Sequence, residues 1–197
     1  MSGWDRKREV MRCYNSTAQM YDMRYAEEQK AKFEEALKIL NIERHDLVLD
    51  AGCGTGLFFG YIASKAETIV GLDISRKILL LAKERAKKLQ NIHLILADTD
   101  YTPLKRNIFN YVFAFTLIQN MPNPVKTLNE IEQVASSNAF IVVSGLKKAF
   151  AKEKFEELLQ TAGLKIVSLK ELDLKCYVAV CKPANGGRTC LISLRDR

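Results

Sequence analysis

Leu47-Val48-Leu49-Asp50-Ala51-Gly52-Cys53-Gly54-Thr55-Gly56 decides the reading of this chain. An apolar run ends in a carboxylate, and three glycines follow at alternate positions. That is the pattern of a buried strand whose chain then turns sharply past a ligand and opens a helix. Outward from it, strand-like runs at Ile69–Leu72, Ile92–Leu96, Tyr111–Phe115, Phe140–Val143, Leu164–Val167 and Tyr177–Cys181 alternate with helical stretches at 57–66, 75–89, 124–135 and 150–162. The strand runs are continuously apolar, as expected for strands covered on both faces. The first 45 residues read as helical, with Ala31, Phe33, Ala36, Leu37 and Leu40 at helical spacing. The pattern predicts an α/β fold with a mainly parallel sheet covered on both faces. Ligands of such sheets bind outside the carboxyl ends of the strands.

A glycine-rich turn alone suits dinucleotides, phosphates and adenosyl ligands, so neighbouring residues must decide. The dinucleotide fingerprint needs Gly or Ala three residues after its second glycine, where this chain has Leu57. The Gly-Lys-Ser/Thr of a phosphate loop is missing as well. Asp50 would repel a pyrophosphate at close range but suits a ligand carrying an ammonium and a sulfonium; its alternative use is to cap the turn through its own backbone. Asp73 ends the second strand, 21 positions after Gly52, where a carboxylate can accept both hydroxyls of a ribose. Asp98 ends the third and can accept from an exocyclic amine. Three acids closing three successive strands are hard to explain as packing.

With these residues in hand, the chain resembles the class I S-adenosylmethionine-dependent methyltransferases over roughly residues 14–182. Phe109-Asn110-Tyr111-Val112 matches the family's fourth strand, and Phe155–Gly163 the helix before the sixth. Tyr14-Asn15-Ser16-Thr17-Ala18-Gln19-Met20-Tyr21-Asp22 is similar to the opening of the ubiquinone/menaquinone-type branch (methyltransferase type 11). The resemblance implies a Rossmann-like, seven-stranded sheet with an N-terminal helical cap over 1–45, one domain over 1–182, and a tail over 183–197 expected to be irregular. It implies S-adenosyl-L-methionine as cofactor. Asp50 with Gly52, Cys53, Gly54 and Gly56 would hold the methionine end, Asp73 the ribose, and Asp98 with Thr99 the adenine edge. Ile74 would pack on the adenine ring, and the main chain at Phe115 and Thr116 would face the ammonium. Tyr14 and Tyr21 either close over the cofactor or are half-buried helix aromatics. Asn110 departs from the family's usual Asp, which puts a loop contact in question.

Absences narrow the chemistry. Where amino-group methyltransferases carry Asn/Asp-Pro-Pro-Tyr/Phe, this chain has Phe115-Thr116-Leu117-Ile118; Asn120-Met121-Pro122-Asn123-Pro124 follows too late and reads as a helix-opening turn. No Pro-Cys pair is present, and no aspartate lies between Tyr101 and Val134 for a magnesium site. His45 and His93 fall at the amino ends of strands, far from the ligand edge. A general base would come from Tyr14, Asp22, Tyr25, Asp100, Tyr101 or a carboxylate of the first helix. In-line alignment of the acceptor can supply most of the acceleration without one.

The acceptor is less legible. The 197 residues carry 30 Lys+Arg against 23 Asp+Glu, a net charge of +7, which favours anionic partners such as RNA. Arg76, Lys77, Lys83, Arg85, Lys87 and Lys88 crowd one helix, where a solvated face is the better explanation, and Arg6, Lys7, Arg8 and Arg12 crowd the N-terminus. The connection Ser144–Ala149 is too short for the lid that small-molecule members often insert, so cover must come from residues 1–30 and from the loops at 99–108 and 118–125. Three readings stand: a methyltransferase of small metabolites, favoured by its opening segment; one acting on RNA or protein, alone or with a partner subunit; and a silent domain that binds the cofactor to stabilise a partner. A homo-oligomer is compatible with all three. Five cysteines, none spaced Cys-x-x-Cys, read as reduced thiols rather than a metal site. No apolar run approaches membrane-spanning length and no signal-peptide pattern opens the chain, so a cytoplasmic, non-membrane protein is expected.

Overall fold

The structure is a computed structural model that describes residues 3–171 and 175–184, apart from the side chains of Gln19 and Tyr21. The described elements are α1 (Gly3–Leu37), β1 (Leu47–Ala51), α2 (Phe59–Ile62), β2 (Thr68–Asp73), α3 (Arg76–Ala86), β3 (Ile92–Leu96), β4 (Phe109–Ala114), α4 (Pro124–Val134), β5 (Ala135–Leu146), α5 (Lys152–Thr161), β6 (Leu164–Glu171) and β7 (Cys176–Pro183), with 3-10 turns at Thr99–Tyr101 and Ile118–Asn120. The seven strands form one sheet in the order β3-β2-β1-β4-β5-β7-β6. β1 to β5 pair in parallel, and β7 runs antiparallel between β5 and β6. The strand order reverses between β1 and β4, and the crevice of an open α/β sheet forms at such a point.

Alternate side chains along each central strand enter two separate cores. Leu49, Val112, Ala114, Ile141 and Val143 pack with Leu128 and Ile131 of α4 and Phe155 and Leu159 of α5. Val48, Tyr111, Phe113 and Val142 pack on the opposite face with Phe33 and Ala36 of α1, Phe59 and Ile62 of α2, and Leu79 and Ala82 of α3. Burial on both faces is why these strands carry unbroken apolar runs. Phe58 sits edge-on to Phe113 and Phe115, with ring centroids 4.5 Å and 5.3 Å away, and anchors the stretch after the glycine loop under the crevice.

Two element boundaries differ from expectation for physical reasons. The apolar residues around 57–66 suggest a long helix, but only Phe59–Ile62 is helical; the preceding glycines hold positive φ (73° at Gly52, 56° at Gly54, 75° at Gly56) and keep the chain turning. β5 begins five residues before Phe140, with exposed Ser137 and Asn138 inside it, so its first half lacks the apolar run that marks a strand. Asn123 caps α4 by accepting from the Lys126 amide at 3.1 Å, with Pro124 as first helical residue, so the Asn120–Pro124 stretch is the expected helix-opening turn. Asn110 accepts from the Leu47 amide at 2.8 Å. It ties β4 to the start of β1, away from the glycine loop. His45 is exposed before β1, and His93 is exposed on the edge strand β3. Beyond residue 184, the tail lies outside the described residues.

Candidate active site

A cleft opens at the carboxyl ends of β1, β2, β3 and β4, under α1. Of the residues singled out in the sequence, it brings together Tyr14, Asp50, Gly52, Cys53, Gly54, Asp73, Ile74, Asp98, Thr99, Phe115 and Thr116. Gly56 is not among its walls: a side chain there would run into the Phe59 ring, so this glycine serves the turn. Tyr21 belongs to α1, and its side chain lies outside the described residues.

Each strand end places its acid by a local device. The Gly52 and Cys53 amides both donate to the Leu72 carbonyl, at 2.7 and 3.0 Å, which folds the loop back onto β2. Asp73 accepts from the Gly54 amide at 3.1 Å and the Ser75 amide at 2.8 Å. A carboxylate has about four lone-pair sites, so acceptor capacity remains for a ligand. Ser75 caps α3 by accepting from the Ile78 amide and donates to Asn15 of α1 at 2.5 Å. Gly54 leaves nothing within 4 Å of where a Cβ would stand, so the backbone here faces open cleft.

Burial sets the electrostatics. Asp50 is 3 % exposed. Loss of water, with Asp73 nearby adding repulsion, pushes its carboxyl up to about 8. Asp73 is raised for the same first reason, against the pull of the Ser75, Gly54 and Ile74 amides. Burial also raises the Cys53 thiol well above its usual range, so it presents no thiolate. Tyr14 is raised by burial, partly countered by its bond to Asn120. Perturbed carboxyls such as Asp50 and Asp73 gather at functional sites.

Asp98 departs from the expectation of a free acceptor. Lys7 of α1 donates to both of its oxygens at 2.7 Å, and to Asp100 at 2.5 Å. Asp100 in turn accepts from the Thr127 hydroxyl. Nothing in the local sequence signals this pairing, because Lys7 and Asp98 are 91 positions apart. Asn120 donates to the Tyr14 hydroxyl at 3.1 Å and to the Thr116 carbonyl at 2.9 Å. Asp22 accepts from Thr55 at 2.7 Å and from Arg85 at 2.6 Å, so one member of the basic helix is committed to holding α1. Gln29 and Lys32 reach Thr116 from the far end of α1. The cover over the crevice is therefore the opening helix, as the short 147–151 connection requires.

The donor set fits an adenosyl sulfonium ligand: buried carboxyls toward its cationic end, an acid with free lone pairs at β2, and an open backbone cradle at Gly54. It does not fit a pyrophosphate, which would meet two buried acids.

Comparison with known proteins agrees. Residues 42–176 match the family model described as a methyltransferase domain. The chain is 31% identical over 149 residues to a malonyl-[acyl-carrier protein] O-methyltransferase of Marinomonas sp., covering 75% of this chain and 55% of that protein. It is 27% identical over 119 residues to a demethylmenaquinone methyltransferase of Staphylococcus saprophyticus, covering 59% and 51%. The chain thus spans about half the length of these relatives. Among solved structures, an S-adenosylmethionine-dependent methyltransferase of Aquifex aeolicus superposes with a TM-score of 0.70 at 20% identity, over 77% of this chain and 89% of that one. A Haloferax volcanii methyltransferase complex with the activator Trm112 gives 0.75 at 13%, over 89% and 98%.

The fold is that of the class I, S-adenosylmethionine-dependent methyltransferases. The chain belongs to the methyltransferase domain family.

Proposed function

We propose that this chain transfers a methyl group from S-adenosylmethionine to a small-molecule acceptor. The observation that carries the reading is the pair of strand-end carboxyls at Asp50 and Asp73, both raised by burial, beside the open Gly54 backbone. In this reading Asp50 and the loop amides hold the methionine end, Asp73 the ribose, Ile74 and Thr99 the adenine, and the Phe115–Thr116 main chain the ammonium. Asp98 contacts the adenine amine only by releasing Lys7. The cofactor supplies a methyl group on a sulfonium, already strongly electrophilic. The chain's part is to orient and to exclude water, and α1 does both by lying over the cleft. Tyr14 keeps its proton at neutral pH, so it serves as a hydrogen-bonding wall rather than a base.

A small acceptor is supported by relatives named for a quinone and for an acyl-carrier-protein-linked malonyl group. An RNA or protein acceptor, with or without a partner subunit, is the second reading. The net charge of +7 favours it, and one structural neighbour is bound to an activator. Among the described residues no helix is long and apolar enough to cross a membrane. Methyl transfer from labelled cofactor into a cell extract fractionated by size tests the assignment. Label in the small-molecule fraction, or released into it from a carrier protein by thioester cleavage, is expected; label confined to RNA, or to protein and resistant to that cleavage, would replace it with the second reading.

A further inference from the structure

Thr116 follows β4 at the cleft wall with φ 55°, a left-handed conformation that β-branched residues rarely adopt. It is held there from three directions. Its amide donates to Ser144 of β5 at 2.7 Å, and its carbonyl accepts from Asn120 at 2.9 Å. Its hydroxyl accepts from Gln29 at 3.0 Å and from Lys32 at 3.1 Å, both on α1. Lys32 is 0 % exposed and Gln29 5 %, and Lys32 is also paired with Glu28 at 2.7 Å. A lysine this deep, five residues before the end of a helix otherwise rich in solvated Lys and Glu, is costly unless it holds something in place. Strain of this kind persists only where its surroundings over-determine it, and it gathers at binding sites.

From this geometry we infer that Lys32 and Gln29 are positioning residues: they clamp the Thr116 hydroxyl and so fix, in its left-handed form, the peptide joining Phe115 to Thr116 against which the donor's ammonium lies. The inference rests on the proposed donor site. It makes α1 part of the donor-binding apparatus as well as a cover. Without the clamp, Thr116 relaxes toward ordinary backbone angles and the peptide turns away from the ligand.

The test is a binding cycle by calorimetry with sinefungin, alongside melting temperatures. Lys32→Met is made in the natural background and in a Thr116→Gly background, where glycine adopts positive φ unaided and offers no hydroxyl to clamp. Lys32→Met is expected to weaken sinefungin binding about tenfold in the first background. In the second it should change binding less than about twofold relative to Thr116→Gly alone. Equal weakening in both backgrounds, or none in the first, would overturn the inference, since a merely structural lysine shifts melting alike in both. If Lys32→Met does not fold, Gln29→Leu carries the same cycle. Failure of the unaltered protein to bind sinefungin would instead bring down the donor assignment itself.

Discussion

Asp50 gives the most demanding test of the donor site. With its carboxyl at about 8, the ratio of protonated to ionised form at pH 7 is about ten to one. A cationic ligand binds the ionised form, so at pH 7 its binding is opposed by about 1.4 kcal/mol, which disappears above pH 8. The ligand's own α-amine titrates at roughly 8, so absolute affinities mix two effects. Asp50→Asn keeps the ligand's titration and removes the protein's. The ratio of dissociation constants, Asp50→Asn over the unaltered protein, should therefore rise about tenfold between pH 7 and pH 9. Calorimetry at pH 7 in buffers of different ionisation enthalpy should show about 0.9 proton more released by the unaltered protein than by the variant. Stability follows the same linkage with its own sign. The folded pKa is raised above the unfolded value of about 3.9, so the folded chain keeps a proton that the unfolded chain gives up. Stability is full below about pH 4 as far as this group is concerned, and is lost as pH rises toward about 8. Asp50→Asn should consequently melt higher than the unaltered protein at pH 8.5. A constant affinity ratio from pH 6 to 9, with no difference in proton release, would refute the claim that a cation lies on Asp50.

Asp73→Ala should weaken sinefungin binding by about 1–3 kcal/mol in calorimetry, because the ribose acceptor and the strap on the Gly54 amide go together. Gly54→Val should abolish detectable binding: the side chain would fill open cleft from a position whose φ of 56° also disfavours it. Lys7→Met leaves Asp98 and Asp100 buried without their shared cation, so denaturant unfolding at pH 7 should show a loss of about 3 kcal/mol. Arg85→Ala removes a pair whose members are each about one-third exposed, and should change unfolding free energy by less than about 1 kcal/mol.

What was legible in the sequence follows from the range of the interactions. The strand ends carrying Asp50, Asp73 and Asp98 could be read because a buried parallel strand must be apolar and a ligand edge must break that run. Ile92–Leu96 is the strand as expected, and α4 begins at Pro124 where Asn-Pro marks it. The two glycines that line the cleft were legible, whereas Gly56 reads the same on paper and turns out to serve packing against Phe59. The helical opening of the chain was visible but its tethers were not. Lys7 reads as one of a basic N-terminal group with Arg6, Arg8 and Arg12 that RNA could use, and Gln29 and Lys32 carry no signal; their partners lie 84 to 93 positions away, and no local periodicity encodes such pairs. Arg85 misleads in the opposite sense. Within its basic helix it suggests nucleic acid, yet its guanidinium is bound to Asp22 of α1.

These tethers change how the cover should be understood. α1, at roughly 52 Å, crosses the whole carboxyl edge of the parallel strands, held at Asp98 by Lys7, at Ser75 by Asn15, at Thr55 by Asp22 and at Thr116 by Gln29 and Lys32. The partner that each tether holds, Asp98, Ser75, Thr55 or Thr116, lines the cleft. A ligand that displaces one of them is thus coupled to the seating of the helix. In the proposed donor site Lys7 competes directly, since it takes both oxygens of Asp98, the acid assigned there to the adenine end. Lys32 does not compete, since its partner is the Thr116 hydroxyl and the ammonium contact is assigned to the main chain. On that reading a donor moves the opening turns of α1 and is held against its closing turns.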